Sequence, residues 1–240
     1  MMCLHGFAQG PESWLTLIPP GIEVKAPHLP GHGGEPPCAG FDDAVDALAS
    51  RLTAPMAVAG YSLGGRLALA LCARYPERIT GALVVSANPG IEDAGDRRAR
   101  REWDDQQAAL LESEGIEAFV ARWEALPMFA TQTQAMRDAQ RPVRMSHDAT
   151  ALAAAMRSLG QGRMPPLWQA LSRCWVPLRI VAGDRDPTYR AIAERMVALA
   201  PDASLHIVPG HGHNLLIEAP EVIGQKLDTL DSLSRRRPVR

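Results

Sequence analysis

A chain of 240 residues with 46% hydrophobic and 22% charged side chains has the make-up of an ordinary globular protein able to bury a substantial core. Its formal net charge of -2 excludes a general attraction to nucleic acid or to an anionic membrane surface, so any recognition of charge has to be local. Four cysteines (Cys3, Cys38, Cys72 and Cys174) stand far apart with no C-x-x-C pair. The N-terminal MMCLHGF is not a signal peptide and no run approaches the roughly 18 apolar residues of a membrane span, so a reducing, cytoplasmic location is expected.

In chain order, apolar runs of strand length fall at Met1 to Leu4, Ile22 to Ala26, Met56 to Ala59, Ala82 to Ser86, Leu178 to Ala182 and Ser204 to Val208, each ending near a glycine, proline or polar turn. Helical periodicity fills the gaps. Phe41 to Leu52 opens with the acidic pair Asp42 and Asp43, and Gly64 to Tyr75 carries Leu67, Ala68 and Leu71 on one face. This alternation predicts an α/β fold, a mostly parallel sheet with helices on both faces. Between Pro89 and Cys174 no convincing strand occurs, and Arg, Glu, Gln, Met and Trp recur at helical spacing. One domain over 1–240 is therefore expected, with a helical cap inserted at about 89–174 and lying over the strand ends where open α/β sheets bind ligands. The basic end, SRRRPVR, reads as a solvated tail.

The strongest chemical signal is Gly60-Tyr61-Ser62-Leu63-Gly64-Gly65, which follows the strand MAVAG and precedes the helix RLALALCARY. That is the context of a G-x-S-x-G nucleophile elbow, in which small residues let the strand turn sharply into the helix and push the serine hydroxyl out above the sheet. The strand Met1 to Leu4 runs into His5-Gly6-Phe7, so the Phe7 N–H can join that of Leu63 as an oxyanion hole. A serine needs a histidine to take its proton and a carboxylate to hold that histidine. Two strand ends offer them: Asp184 or Asp186 in GDRDP, and His211 or His213 in GHGHN. Spacing leaves both pairs open. His206 lies within a strand, and His28 and His32 flank a loop where turn roles are commoner than chemistry. No cluster completes a metal site around His211 and His213, and no cofactor is expected.

Arg97, Arg98, Arg100 and Arg101 open the helical segment among acidic neighbours, as a solvated helix face does. Arg66, one turn after Ser62, is close enough to the elbow to face a pocket, where a guanidinium fork suits carboxylates.

LHGF, LPGHGG, GYSLGGR, NPGIEDAGDRRARR, GDRD, GHN and the later WEALPMFA together resemble the 2-succinyl-6-hydroxy-2,4-cyclohexadiene-1-carboxylate synthases of menaquinone biosynthesis, members of the α/β-hydrolase superfamily. The likeness spans nearly the whole chain; LHGF and G-x-S-x-G mark the superfamily, while GYSLGGR with the arginine-rich entry is more specific. The resemblance implies a triad of Ser62, Asp186 and His213. It also implies a pocket for a polycarboxylate small molecule formed by Arg66, Arg100, Arg144, Tyr61 and Trp123. The implied activity is a carbon–oxygen lyase that eliminates pyruvate from an enolpyruvyl cyclohexene acid, Ser62 acting as a base activated by His213. Pro187 and the extra His211 depart from the family's loops. The chain also opens on the strand entering LHGF without the upstream strands this fold usually carries, which leaves a misassigned start or a trimmed sheet. Rival readings are a serine esterase or thioesterase working through an acyl-enzyme at Ser62, and a silent ligand-binding protein.

Overall fold

The computed structural model describes residues 1–236; the end of the basic tail, from Arg237 to Arg240, lies outside them. The elements run β1 (Met2–Leu4), α1 (Glu12–Leu15), α2 (Phe41–Ser50), β2 (Met56–Tyr61), α3 (Leu63–Arg74), β3 (Ile79–Val85), α4 (Ala94–Glu124), α5 (Gln134–Met145) and α6 (Ala149–Leu159). They continue with α7 (Trp168–Leu171), β4 (Leu178–Gly183), α8 (Pro187–Leu199), β5 (Ala203–Val208), α9 (Leu215–Glu218) and α10 (Pro220–Arg236). The five strands form one parallel sheet whose spatial order is their chain order.

Alternate residues of each strand feed two cores, as the pleat demands. Met2, Leu4, Val58, Val84 and Ile180 point to the layer of α2, α3 and α8, while Cys3, Ala59, Leu83, Val85 and Val181 point to Trp14 and the apolar face of α10. Burial on both sides explains why these strands read as continuous apolar runs. A third cluster, with Leu111, Phe119, Leu152 and Met156, lies among α4 and α6 between β3 and β4. There α4 breaks at Gly115, whose φ of 81° is a left-handed conformation that glycine adopts without strain. All four cysteines are free thiols.

One strand expectation fails. Ile22 to Ala26 does not extend the sheet; only Lys25 bridges to it, its N–H donating to the Met1 carbonyl and its carbonyl accepting from Cys3 N–H, both at 2.9 Å. Pro19 and Pro20 before the segment and Pro27 after it interrupt a ladder at the sheet edge.

The tightest packing lies where β2 turns into α3. A Cβ on Gly64 would sit 2.0 Å from the Leu4 carbonyl oxygen, and one on Gly60 would sit 2.2 Å from that of Gly64. The start of α3 is therefore pressed against the end of β1. Gly64→Ala is expected to lower the unfolding free energy by about 2–4 kcal/mol, the range of severe overpacking against backbone, with the loss read from urea denaturation at unchanged m-value.

Candidate active site

Ser62 stands between β2 and α3 with φ 51° and ψ -109°, a strained backbone for a residue with a side chain. The strain is held from both sides: Ser62 N–H donates to Val85 O at 2.9 Å and Gly64 N–H to His5 O at 3.0 Å. The hydroxyl meets His213, 3.2 Å from Oγ to Nε2, while His213 Nδ1 lies 2.7 Å from Asp186 Oδ2. With Nδ1–H donating to the carboxylate, Nε2 is left as the acceptor for the serine proton. His213 is fully buried and Asp186 nearly so.

The competing residues point elsewhere. Asp184 Oδ1 accepts from Gly210 N–H at 2.7 Å and so ties the loop, while His211 Nδ1 lies 2.6 Å from the Pro209 carbonyl oxygen. His206 is exposed on β5. Asp186 is also the N-cap of α8, its Oδ1 accepting from Tyr189 N–H at 3.2 Å, and Pro187 fills the first helical position, where its missing N–H costs no hydrogen bond. The unusual proline therefore fits this loop.

Phe7 and Leu63 present backbone N–H groups that take no acceptor among the described residues, Leu63 at the N-terminus of α3. Buried histidines pin the loop before them. His5 Nε2 accepts from Leu29 N–H at 3.0 Å and its Nδ1–H donates to Gly6 O at 2.8 Å. His32 Nε2 accepts from Ala8 N–H at 3.1 Å and its Nδ1–H donates to Pro30 O at 3.0 Å. Both rings thus spend one nitrogen as acceptor, which requires the neutral form. Burial pushes His5 down to about 3 and holds His32 well below its ordinary value.

Aromatic side chains wall the site. Phe129 and Tyr61 stand 6.0 and 5.5 Å from the His213 ring, and Tyr189 meets it edge-on at 4.4 Å. Half-buried Trp123 packs on Phe7, Phe119 and Phe129. Tyr61 is buried, and its phenol is pushed well up by desolvation.

The arginines are not equivalent. Arg66 is buried, donates from Nη1 to the Leu159 carbonyl at 2.8 Å at the end of α6, and has no carboxylate partner among the described residues. Desolvation pushes its guanidinium down to about 10. Arg100, half-buried, pairs with Asp104 at 2.9 Å and donates to Gln161 Oε1 at 2.7 Å. Arg144 is the most deeply buried of the three. It is sealed beneath Phe129, ion-paired with buried Glu124 at 2.9 Å and bonded to Gln140 Oε1 at 3.0 Å. Tyr189 and Gln161 carry no motif, and Phe129 lies within WEALPMFA without having been singled out there; Tyr189 was reachable only as the residue three positions after Asp186, one helical turn on.

A parallel sheet covered by helices, with a serine on a strained strand-to-helix turn bonded to a histidine and an aspartate, defines a serine-centred α/β hydrolase. The chain belongs to the alpha/beta hydrolase family, which it matches over residues 1–225, and within it to the group of 2-succinyl-6-hydroxy-2,4-cyclohexadiene-1-carboxylate synthases. The putative synthase of that name from Bacillus subtilis (strain 168) is 31% identical over 94% of this chain and 87% of its own length. The synthase from Enterobacter sp. (strain 638) is 31% identical over 93% and 88%. The solved structure of MenH from S. aureus superposes with a TM-score of 0.91 at 28% identity, covering 98% of this chain and 94% of that one. An esterase from Thermogutta terrifontis, at 20% identity and a TM-score of 0.81, shares the fold.

Because His5 is neutral when folded and titrates near 6.5 when unfolded, its contribution is intact above that value and is lost as pH falls from 6.5 toward about 3. Urea titrations across pH should show wild type losing up to about 1.4 kcal/mol per unit through this group, so that its stability advantage over His5→Asn narrows on acidification. A gap that stays constant with pH contradicts the neutral assignment.

Proposed function

We propose that this chain eliminates pyruvate from 2-succinyl-5-enolpyruvyl-6-hydroxy-3-cyclohexene-1-carboxylate to give 2-succinyl-6-hydroxy-2,4-cyclohexadiene-1-carboxylate, with Ser62, His213 and Asp186 as the catalytic set. The observation that carries this over a simple esterase is Arg66, a buried guanidinium without a carboxylate partner, on the helix that starts at the nucleophile elbow. A buried cation that only the charge of Asp104 meets, and from beyond ion-pair distance, is costly, and a polycarboxylate substrate offsets that cost on binding.

In this reading His213 Nε2 takes the Ser62 proton, and the resulting alkoxide removes the ring proton beside the succinyl carbonyl. The electron pair forms a ring double bond, the existing one shifts along the ring, and the enolpyruvyl oxygen departs; the released enol becomes pyruvate. Water is neither consumed nor formed. The N–H groups of Phe7 and Leu63 receive the negative charge that builds on the succinyl carbonyl oxygen, and removal of one such donor is worth on the order of 3 kcal/mol. Asp186 holds the tautomer and supports the imidazolium. Arg66, Arg100 and Arg144 supply the guanidinium groups for the carboxylates, Arg144 from behind Phe129 and paired with a Glu124 that it shares with Arg141, while Tyr61 and Trp123 line the pocket. Residues 89–174 act as a cap over a single domain. The four free thiols and the small-molecule substrate suit a cytoplasmic enzyme, and no helix among the described residues is long and apolar enough to cross a membrane.

The test is Ser62-dependent pyruvate release, corrected for spontaneous elimination. Ser62→Ala should lower the rate by about a hundredfold or more, the scale of a lost general base. Release by wild type no faster than the blank refutes the proposal and leaves ester or thioester hydrolysis through an acyl-enzyme as the reading to pursue. The same assay separates the two acids. Asp186→Asn is expected to lose turnover by up to about 10⁴-fold, as when a triad histidine is left in the wrong tautomer, whereas Asp184→Asn keeps it within a few-fold.

A further inference from the structure

Beyond the triad and the arginines, Tyr189 is the side chain most closely bound into the site. Its N–H donates to Asp186 Oδ1 at 3.2 Å, its ring meets His213 at 4.4 Å, and its hydroxyl lies 2.6 Å from Gln161 Nε2. The polarity of that last contact follows from the next one. Arg100 has no acceptor atoms, so the Gln161 atom 2.7 Å from Arg100 Nη1 is the carbonyl oxygen, and the amide N–H groups face Tyr189. Gln161 therefore donates to the phenol oxygen and leaves the Tyr189 O–H hydrogen without a protein acceptor among the described residues. Taken as a whole residue, Tyr189 is half-buried. Its phenol is pushed up by burial and stays protonated at neutral pH, a donor only to something that accepts. Arg66, without a carboxylate at ion-pair distance, and Arg100, paired with Asp104, are the cations whose charges act on it, against that of Asp186.

We propose that the Tyr189 hydroxyl, held by Gln161, completes with Arg66 and Arg100 a carboxylate subsite on the ring that packs against His213, and that it sets the enzyme's preference for substrates bearing a carboxylate arm. The inference rests on the proposed reaction for its substrate, but the subsite is defined by its own donors. Tyr189 binds and does not react, so its removal weakens binding and leaves the chemical step almost unchanged.

The experiment is Tyr189→Phe, which keeps the ring against His213 and deletes only the hydroxyl. Succinate, a dicarboxylate probe, is titrated calorimetrically into wild type and variant, and KM and kcat for pyruvate release are measured on both. The expected result is about a tenfold loss of succinate affinity and a matching rise in KM, the scale of one hydrogen bond to a charged group, with kcat within about threefold and melting temperature unchanged. Gln161→Glu should impair succinate binding at least as much, because a carboxylate there accepts the phenol O–H hydrogen bond and repels the anion. Unchanged affinity and KM in Tyr189→Phe overturn the proposal, as does a wild type that does not bind succinate. If succinate binding depends on Tyr189 while wild type releases no pyruvate, the subsite stands and the proposed reaction falls.

Discussion

Everything at the candidate site hangs on the contact between the end of β1 and the start of α3, where Gly64 leaves no room for a side chain against the Leu4 carbonyl. That approach does two things. It forces the β2–α3 turn tight enough to hold Ser62 at φ 51°, and it brings the loop carrying Phe7 beside the helix N-terminus carrying Leu63. Strain at one residue persists only because neighbours over-determine it. Here the over-determination comes from Val85 O and His5 O, each accepting from an elbow amide.

The buried histidines extend the same constraint outward. His5 and His32 each join the loop after β1 to the loop around Leu29 and Pro30, one nitrogen accepting and the other donating. Sequence placed His32 correctly as a loop residue with a turn role. It did not show that His32 would be fully buried with His5 and set edge-on against Phe7, because nothing local says that two segments more than twenty residues apart will meet. The triad histidine and these two are chemically alike and differ only in partner. His213 faces a carboxylate and a hydroxyl, the others face backbone.

Legibility follows the range of the interaction that decides each feature. The alternation of strands and helices, and the elbow itself, are local and were readable from periodicity and glycine placement. The Ile22 to Ala26 run was misread because edge pairing depends on flanking prolines more than on apolar content. Asp184 and Asp186 could not be separated by spacing; their roles diverge only once β5 places Gly210 over one and His213 beside the other, at 2.7 Å in each case. The arginines illustrate the limit from the other direction. Their count is visible in the chain, but whether each already has a counter-ion is not. Glu124 is shared between Arg141 and Arg144 and Asp104 pairs with Arg100, which leaves Arg66 as the one of the three with no carboxylate at ion-pair distance among the described residues.

In the proposed reaction Ser62 acts as a base on carbon and never as an acyl acceptor. Single-turnover pyruvate release from substrate deuterated at the ring carbon beside the succinyl carbonyl tests it most directly, with the intact protein mass followed in parallel. A primary isotope effect on release with no mass added to the protein is the expected result. Release at the same rate from both isotopologues, with an acyl adduct accumulating on Ser62, would contradict it.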